Sequence, residues 1–345
     1  MICGNCREQR PMEDQGILSL RGAGDFIELI RDQRFDPKLE GQDYTMNYRS
    51  KDELLQLFQI LRYGDGTVPT DITMRLQGMK DRNDQPVWIP LPQMEARLKH
   101  HNIVDIIVDE RFTSHMQPIV NHVEEIVGFE FLLRPSSKEA PFQPLELFDI
   151  ARETGLHSFL DRAARLSAIE TSAMHIPKGI KRFINFLPSS IYNPKYCLTH
   201  TFDAIQKHAL DPQDFVFEVV ETEQIHKMDN ILSIFDEYRK NGISVALDDV
   251  GAGYSTLEEM IRLRPDYVKI DRSLVDGCSQ DMNKQRQIQL IIERAQDFGG
   301  QVLAEGIEDR QDFEFCRTHG ALLAQGYLFG KPAPTPPDTF MRPTA

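Results

Sequence analysis

Short apolar runs alternate with amphipathic stretches along the chain from about residue 100 onward. The runs are rich in Val, Ile, Phe and Tyr, as buried strands are, and the stretches between them repeat apolar residues at helical spacing. This alternation predicts β/α units repeated around a parallel sheet. In chain order, the predicted strands are MQPIV, EIVGFEFLLR, RFINFLP, DFVFEVVE, ISVALDD, YVKID, QVLAEG and AQGYLFG.

The number of predicted strands favours one class of α/β fold. Eight strands that are mostly joined by helices fit a (β/α)8, TIM-like barrel better than an open doubly wound sheet, although the pattern allows both. The link NHVEE around Asn121 is too short for a helical crossover, so the first strand pair is expected to be antiparallel. Glycines that end helical stretches, Gly242, Gly299 and Gly320, are typical of helix termini in the left-handed conformation.

The residues before the barrel show a different pattern. Apolar runs such as ILSL, YTMNY and DITMRL are interleaved with helical stretches such as KDELLQLFQILRYG, which predicts a small α/β domain. In that stretch Leu54, Leu57 and Leu61 share one helix face, which fits a domain core better than a dimer contact. The expected organisation is a regulatory or sensor domain at 1–95, a linker at 96–111, the barrel at 112–335 and a tail at 336–345.

Composition argues against several classes of protein. The formal net charge of -14 opposes binding to a long nucleic acid or to an anionic membrane surface. The sequence has no apolar run of bilayer length and its first residues lack the apolar region of a signal peptide, so we expect a cytoplasmic protein. Five cysteines are an odd number for a disulfide framework, so free thiols are expected. Cys3 and Cys6 form a CxxC that is either structural or part of a zinc or redox site.

Polar residues stand at or near the end of nearly every predicted barrel strand. Because the carboxyl ends of barrel strands converge on one face, these residues are expected to share one pocket. A single strand-end carboxylate often caps the following helix instead, but coordinated placement on seven strands argues against that explanation. The residues are Glu130, Asn185, Glu218, Glu221, Asp248, Asp249, Lys269, Asp271, Glu305, Glu308 and Gln325.

The chemistry of these residues indicates a metal site. So many carboxylates in one pocket would repel each other unless cations neutralised them. Carboxylate and amide oxygens without cysteine or histidine favour hard cations, so Mg2+ or Mn2+ is expected rather than Zn2+. Two such ions could clamp the attacking and leaving oxygens of a phosphoryl displacement, which makes phosphodiester hydrolysis the natural reaction.

Motifs between Met116 and Pro332 resemble one known family. The stretches QPIV, GFEFLLRP, FINFLPSS, FEVVET, LDDVGAGYSTL, PDYVKID, AEGIED and QGYLFGKP are similar, in order and spacing, to the EAL family of cyclic di-GMP phosphodiesterases. The resemblance implies metal-dependent hydrolysis of cyclic di-GMP to linear pGpG, and a homodimer. The alternative is a catalytically silent receptor that binds cyclic di-GMP and signals through protein contacts. Every expected ligand and water-facing residue is present, which favours the enzyme.

The resemblance also implies roles for the polar residues. Lys269 would face the attacking water as a fixed positive charge, Glu305 would be a partner of that water or of metal, and Gln325 would support the water. Asp248 would bridge a first metal ion to a second one near Asp249, which is also expected to be catalytic. The implied metal ligands are Glu130, Asn185, Glu218, Asp248 and Asp249.

A second group of residues is implied to bind the substrate. Arg134 suits the substrate phosphate, because a guanidinium offers it paired hydrogen bonds. Gln117 lies on the neighbouring strand, where the guanine or ribose would rest, and Leu133 and Pro135 flank Arg134. Glu221 is expected to anchor the loop after the paired aspartates rather than to bind metal.

Overall fold

The structure, a computed structural model, describes residues 11–33, 35–62, 65–79, 87–219, 228–251, 256–338 and 340. These residues form two compact units. One unit contains Phe112–Ser136 and the described residues from Asp161 onward. The other contains the described residues up to Arg111 together with Ser137–Leu160.

The unit at the start of the described chain is built on a five-stranded antiparallel sheet. Its strands are β1 Gly16–Arg21, β2 Lys38–Glu40, β3 Asp43–Tyr48, β4 Thr73–Gly78 and β5 Ile89–Pro90, in the order β2-β3-β1-β4-β5. Its helices are α1 Ile27–Asp32, α2 Lys51–Ile60, α3 Leu91–Lys99, α4 His101–Val108 and α5 Pro144–Glu153. Leu54, Leu57 and Leu61 are fully buried in the core of this unit, as the core interpretation of their helix face predicts.

The other unit is a closed barrel of eight strands. They are β6 Phe112–Asn121, β7 Ile126–Pro135, β8 Lys181–Phe186, β9 Phe215–Val219, β10 Ser244–Val250, β11 Tyr267–Ile270, β12 Gln301–Ala304 and β13 Leu323–Gln325. The remaining helices are α6 His157–His175, α7 Pro194–Cys197, α8 Thr199–Lys207, α9 Met228–Lys240, α10 Leu257–Leu263, α11 Arg272–Val275, α12 Met282–Gln296 and α13 Arg310–Thr318. The strands pair in the order β10-β11-β12-β13-β6-β7-β8-β9, and β9 closes on β10. Strand β6 is antiparallel to both β7 and β13, so the barrel and its antiparallel first pair are confirmed.

An apolar layer of side chains fills the lower part of the barrel interior, because alternate residues of each strand point inward. Seven strands contribute one residue each to this layer. On β7 the corresponding position is Gly128, where an added Cβ would lie 3.3 Å from the Phe183 ring. The apolar layer consists of Ile119, Phe183, Val216, Ala246, Tyr267, Leu303 and Leu323. Above it lies the mouth, the end of the barrel where the parallel strands have their carboxyl ends.

Three local features differ from the predicted pattern. The apolar spacing of PLELFDIARETGLHSFLDRAARLSAIETSAM predicts one helix, but the stretch is divided into α5 and α6 at Gly155, whose φ of 70° is incompatible with a continuing helix. The last predicted strand ends at Gln325, after which the chain turns and the Gly330 N–H donates to the Gly326 carbonyl at 3.2 Å. Strand β2 was not predicted because all three of its residues are exposed, so its sequence carries no apolar alternation.

The predicted left-handed glycines and free thiols agree with the structure. Gly242, Gly299 and Gly320 all have positive φ, between 76° and 108°. The described cysteines Cys197, Cys278 and Cys316 are buried free thiols, while Cys3 and Cys6 lie outside the described residues. None of the helices in the described ranges combines the length and the apolar character that crossing a bilayer requires.

Candidate active site

A polar layer lies directly above the apolar layer, with one polar side chain from each strand or from the residue that follows it. The matched register of neighbouring strands aligns these residues, so that Gln117 stands opposite Glu130 and Asn185 stands opposite Glu218. Side chains that are remote in sequence therefore meet at the mouth. The polar layer consists of Gln117, Glu130, Asn185, Glu218, Asp248, Lys269, Glu305 and Gln325.

Lys269 lies among the carboxylates of the polar layer. Its Nζ contacts a carboxylate oxygen of Glu218 and lies 2.8 Å from Glu305 Oε1. The same atom lies 3.0 Å from Asp248 Oδ1 and 3.6 Å from Glu130 Oε1. Burial opposes the charge of this side chain, but the surrounding carboxylates raise the pKa of Lys269 well above its ordinary value. Lys269 is therefore a fixed positive charge in the layer.

Amide groups orient the carboxylate of Glu130. Asn185 Nδ2 donates to Glu130 Oε1 at 3.0 Å, and Gln325 Nε2 donates to Glu130 Oε2 at 2.6 Å. Gln325 Nε2 also donates to Gln117 Oε1 at 3.0 Å, while Gln117 Nε2 donates to the Gly330 carbonyl at 3.2 Å. Because Nε2 of Gln325 serves two acceptors, its Oε1 points elsewhere and is buried without a hydrogen-bond donor among the described residues.

A bulge in β10 brings two successive carboxylates to the mouth. Adjacent residues of a regular strand would point to opposite faces. The pairing of β10 with β11 shifts register between Leu247 and Val250, and Asp249 has a φ of 53°. Aspartate tolerates this left-handed conformation better than most residues do. As a result, carboxylate oxygens of Asp248, Asp249 and Glu305 lie within 4.8 Å of one another.

Burial and mutual repulsion set the protonation of the carboxylates. Burial, reinforced by neighbouring carboxylates, raises the pKa of Glu218 and the pKa of Glu305 well above the ordinary value. The same two causes raise the pKa of Asp249 to about 7. Glu130 differs, because the nearby ammonium and the amide donors outweigh its burial and hold its pKa below the ordinary value. The cluster therefore retains protons at neutral pH unless further cations bind.

The residues present fit a divalent metal centre. Glu218 Oε1 and Gln325 Oε1 are both buried and accept no hydrogen bond from the described part of the chain. Buried oxygens of this kind require a cation or a water molecule as partner. The close carboxylates of Asp248, Asp249 and Glu305 offer further oxygen donors. An all-oxygen set of this kind matches hard cations such as Mg2+ and Mn2+.

The residues expected to bind substrate lie around the polar layer. Arg134 is half-buried near the end of β7, and its Nη1 donates to the Leu133 carbonyl at 2.7 Å. Arg134 occupies the same face of β7 as Glu130, four residues nearer the mouth, because alternate residues of a strand point to the same face. Leu133 and Pro135 occupy the other face of β7, so the strand directs their side chains away from the barrel interior.

Two of the predicted strand-end residues lie outside the polar layer in the described structure, and a third is not described. Asp271 caps α11, because its Oδ1 accepts a hydrogen bond from the Ser273 N–H at 2.9 Å. Glu308 is exposed and pairs with Arg272 at 2.9 Å. Glu221 lies outside the described residues. For Asp271, the common use of a strand-end acid as a helix cap explains the placement.

Strand β6 contributes one mouth residue that the sequence pattern did not single out. His115 shares the inward face of β6 with Gln117 and stands opposite Leu132 of β7. Since β6 runs opposite to the other strands, its residues nearest the mouth come first in the chain. The predicted strand began at Met116 and so excluded His115, although the alternation continues back to Phe112.

Comparisons with known proteins identify relatives of the barrel. The family model of the EAL domain matches residues 101–332. The chain is 30% identical over 227 residues to the probable cyclic di-GMP phosphodiesterase PdeG of Escherichia coli, which covers 63% of this chain and 43% of that protein. It is 28% identical over 254 residues to the cyclic di-GMP phosphodiesterase PdeR of the same species, covering 70% of this chain and 38% of that protein. The match thus spans less than half the length of these curated relatives.

Solved structures agree with this relationship. The cyclic di-GMP-bound form of a standalone EAL protein from Vibrio cholerae O395 has 30% identity and a TM-score of 0.60, over 66% of this chain and 94% of that chain. BlrP1 of Klebsiella pneumoniae, in a complex with manganese and cyclic di-GMP, has 20% identity and a TM-score of 0.59, over 93% of this chain and 96% of that chain. The second likeness concerns the fold alone. The barrel and the family match, which covers more than half of the sequence, show that the chain belongs to the EAL domain family.

Proposed function

We propose that the chain is a metal-dependent phosphodiesterase that hydrolyses cyclic di-GMP to linear pGpG, with Mg2+ or Mn2+ as cofactor. The observation that carries the proposal is the excess of carboxylates at the mouth, where Lys269 is the one ammonium that the described residues place among them. Such a cluster attracts divalent cations, and the cations in turn attract a phosphodiester. The names of the curated relatives and the cyclic di-GMP complex of the Vibrio protein support this choice of substrate.

The metal ligands follow from the donors at the mouth. Glu130, Asn185, Glu218 and Asp248 would hold a first ion, and Asp249 together with Asp248 would hold a second. When bound, the ions would supply Lewis-acid stabilisation of the phosphoryl oxygens and would lower the pKa of a bound water. The unpartnered Glu218 Oε1 supports this assignment, since a metal ion would satisfy it.

The remaining mouth residues would position the reactants. In hydrolysis, the oxygen of water bonds to phosphorus as the P–O3′ bond breaks, and the leaving O3′ takes up a proton, which gives a 5′-phosphate and a 3′-hydroxyl. Lys269 would stabilise the negative charge that develops on the phosphoryl group, and Arg134 would bind the phosphate in the ground state. Glu305, in its ionised form, would accept a proton from the water, and Gln325 would hold the water through its unpartnered oxygen.

A direct assay tests the proposal. Purified protein is incubated with cyclic di-GMP in Mg2+, Mn2+, Ca2+ or excess chelator, and pGpG is quantified by ion-exchange chromatography. We expect product in Mg2+ and Mn2+ and none in chelator. Ca2+ is expected to fail, because it prefers longer bonds and more ligands than this compact site offers. Hydrolysis at full rate in chelator would contradict the metal assignment, and metal-dependent binding without hydrolysis would favour the receptor.

A pair of matched variants separates the site from the rest of the barrel. Glu130→Gln removes a ligand charge without changing volume and is expected to abolish hydrolysis. Glu124→Gln makes the same change in the link between β6 and β7, where Glu124 pairs with Arg310. This control is expected to keep wild-type turnover. Equal rates in both variants would show that the polar layer is not the active site.

A further inference from the structure

His115 occupies the inward face of β6, directly above the polar layer. Along this strand Ile119 belongs to the apolar layer and Gln117 to the polar layer, so the alternation places His115 next toward the mouth. The register of β6 with β7 is regular over this stretch. His115 stands opposite Leu132, and Arg134 follows two residues later on β7. A half-buried polar side chain thus lies between the carboxylates and the proposed phosphate-binding arginine.

The surroundings of His115 define its hydrogen-bonding capacity. One ring nitrogen bonds to the Pro332 carbonyl, and because a carbonyl only accepts, that nitrogen must carry the proton. Burial and the positive charge of Arg134 lower the pKa of His115 below its ordinary value, despite the hydrogen bond to Pro332. The ring is therefore neutral at pH 7 and anchored at one nitrogen. Its second nitrogen is a hydrogen-bond acceptor.

This acceptor complements the other groups at the mouth. Arg134 can only donate and therefore suits the phosphate, whereas the carboxylates suit cations. Neither can recognise the uncharged donors of a nucleotide once cations occupy the carboxylates. Cyclic di-GMP has such donors on the guanine edge and on the ribose 2′-hydroxyl. A neutral imidazole next to the phosphate-binding arginine is matched to either of them.

We propose that His115 positions the nucleoside part of the substrate by accepting a hydrogen bond from a guanine N–H or from a ribose 2′-hydroxyl. This inference rests on the proposed function and extends it from the phosphodiester to the nucleoside. His115 is a specificity and positioning residue and takes no part in proton transfer.

Two variants of His115 test the proposal. His115→Phe keeps a ring but removes both nitrogens, while His115→Gln keeps a donor and an acceptor. For His115→Phe we expect KM for cyclic di-GMP to rise about three- to tenfold, the effect of losing one neutral hydrogen bond, with kcat within about twofold of wild type. His115→Gln is expected to lie closer to wild type. Mn2+ affinity, measured by calorimetry, is expected to be unchanged in both variants.

Substrate analogues identify the donor. One analogue replaces guanine with hypoxanthine and so lacks the 2-amino group, and another lacks the 2′-hydroxyl. Wild type is expected to lose about three- to tenfold in kcat/KM on the analogue that lacks the bonded donor, and His115→Phe is expected to show no such loss. The control His122→Gln, in the link at the other end of β6, is expected to match wild type with every substrate.

The possible failures are distinguishable. An active wild-type enzyme whose KM is unchanged in His115→Phe would overturn the role of His115 and leave the proposed function intact. A parallel loss of Mn2+ affinity and kcat in that variant would also overturn it, because His115 would then act through the metal ligands. A wild-type protein that neither binds nor hydrolyses cyclic di-GMP would overturn both proposals.

Discussion

Lys269→Met is expected to destabilise the metal-free barrel and to strengthen its binding of divalent metal. The substitution keeps most of the side-chain volume but removes the ammonium that lies within 3.6 Å of Glu130, Asp248 and Glu305 oxygens. Lys269 is also 1% exposed and in contact with Glu218, so water cannot replace the lost charge. The carboxylates are left to repel one another.

The size of the destabilisation follows from the burial of the ion pairs that Lys269 makes with the carboxylates. Removing one partner of a buried ion pair costs about 3–5 kcal/mol. For a barrel of this size, each kcal/mol corresponds to about 2–4 °C in Tm, so we expect a decrease of roughly 6–20 °C in chelator. Glu218 and Glu305 partly offset the loss at low pH, because acids whose pKa is raised by folding stabilise the folded state while protonated. The difference from wild type is therefore expected to grow as pH rises from about 5 to about 8.

Differential scanning fluorimetry at pH 5 and pH 8, with chelator or Mn2+, measures these effects. Mn2+ is expected to raise the Tm of Lys269→Met more than that of wild type, because the metal replaces the missing positive charge. Lys207→Met, an exposed lysine at the end of α8, is the matched control and is expected to melt within about 2 °C of wild type. If Lys269→Met melts like this control in chelator at pH 8, the ammonium does not hold the carboxylates together. The turnover of Lys269→Met is expected to fall about a hundred- to a thousandfold relative to wild type.

Three further predictions concern other positions. Asp248→Asn is expected to lower turnover at least a hundredfold while melting no lower than wild type in chelator, since it relieves carboxylate repulsion. Cys278 and Cys316, with Sγ atoms 3.9 Å apart, are expected to react with a thiol reagent only after unfolding, because their mutual hydrogen bond and burial raise the pKa of Cys278. Gly326→Ala is expected to cost about 1–3 kcal/mol in urea unfolding, since its Cβ would lie 2.0 Å from a backbone oxygen, whereas Gly24→Ala meets no atom within 4 Å.

The gathering of the polar residues could be predicted because it depends on two regular features of a barrel. Strand alternation selects which residues face inward, and the parallel arrangement brings the carboxyl ends together. Asn185 and Gln325, on strands far apart in sequence, are both joined to Glu130 by hydrogen bonds for this reason. No knowledge of the individual side-chain conformations was needed.

The arrangement within the layer could not be predicted from the same features. Alternation alone would place Asp249 on the outer face, opposite to Asp248, and only the bulge in β10 brings both carboxylates to the mouth. A bulge depends on a single residue with positive φ, and the strand sequence gives no periodic signal for it. The position of Lys269 among four carboxylates likewise depends on how the barrel closes.

An acidic residue at the end of a strand can either face the mouth or cap the following helix, and the sequence pattern does not distinguish these two roles. Asp271 follows β11 directly, just as Glu305 follows β12. Asp271 accepts a hydrogen bond from the first turn of α11, whereas Glu305 contacts the Lys269 ammonium. The chain segment after β11 enters its helix at once, while the segment after Glu305 continues over residues 306–309 before α13 begins at Arg310. The distance to the next helix therefore decides which use prevails.

The two interior layers depend on each other. The apolar layer closes the barrel below the polar layer, so Glu218 and Lys269 are 0% and 1% exposed although they lie at strand ends. In this poorly solvated position, unlike charges attract and like charges repel more strongly than in water. Burial, reinforced by neighbouring carboxylates, raises the pKa of Glu218, whereas the pKa of Lys269 is raised by the carboxylates against the effect of its burial. The apolar layer beneath the acids is thus the electrostatic basis of the metal binding that we propose, because a cation at the mouth would lower the repulsion between the carboxylates.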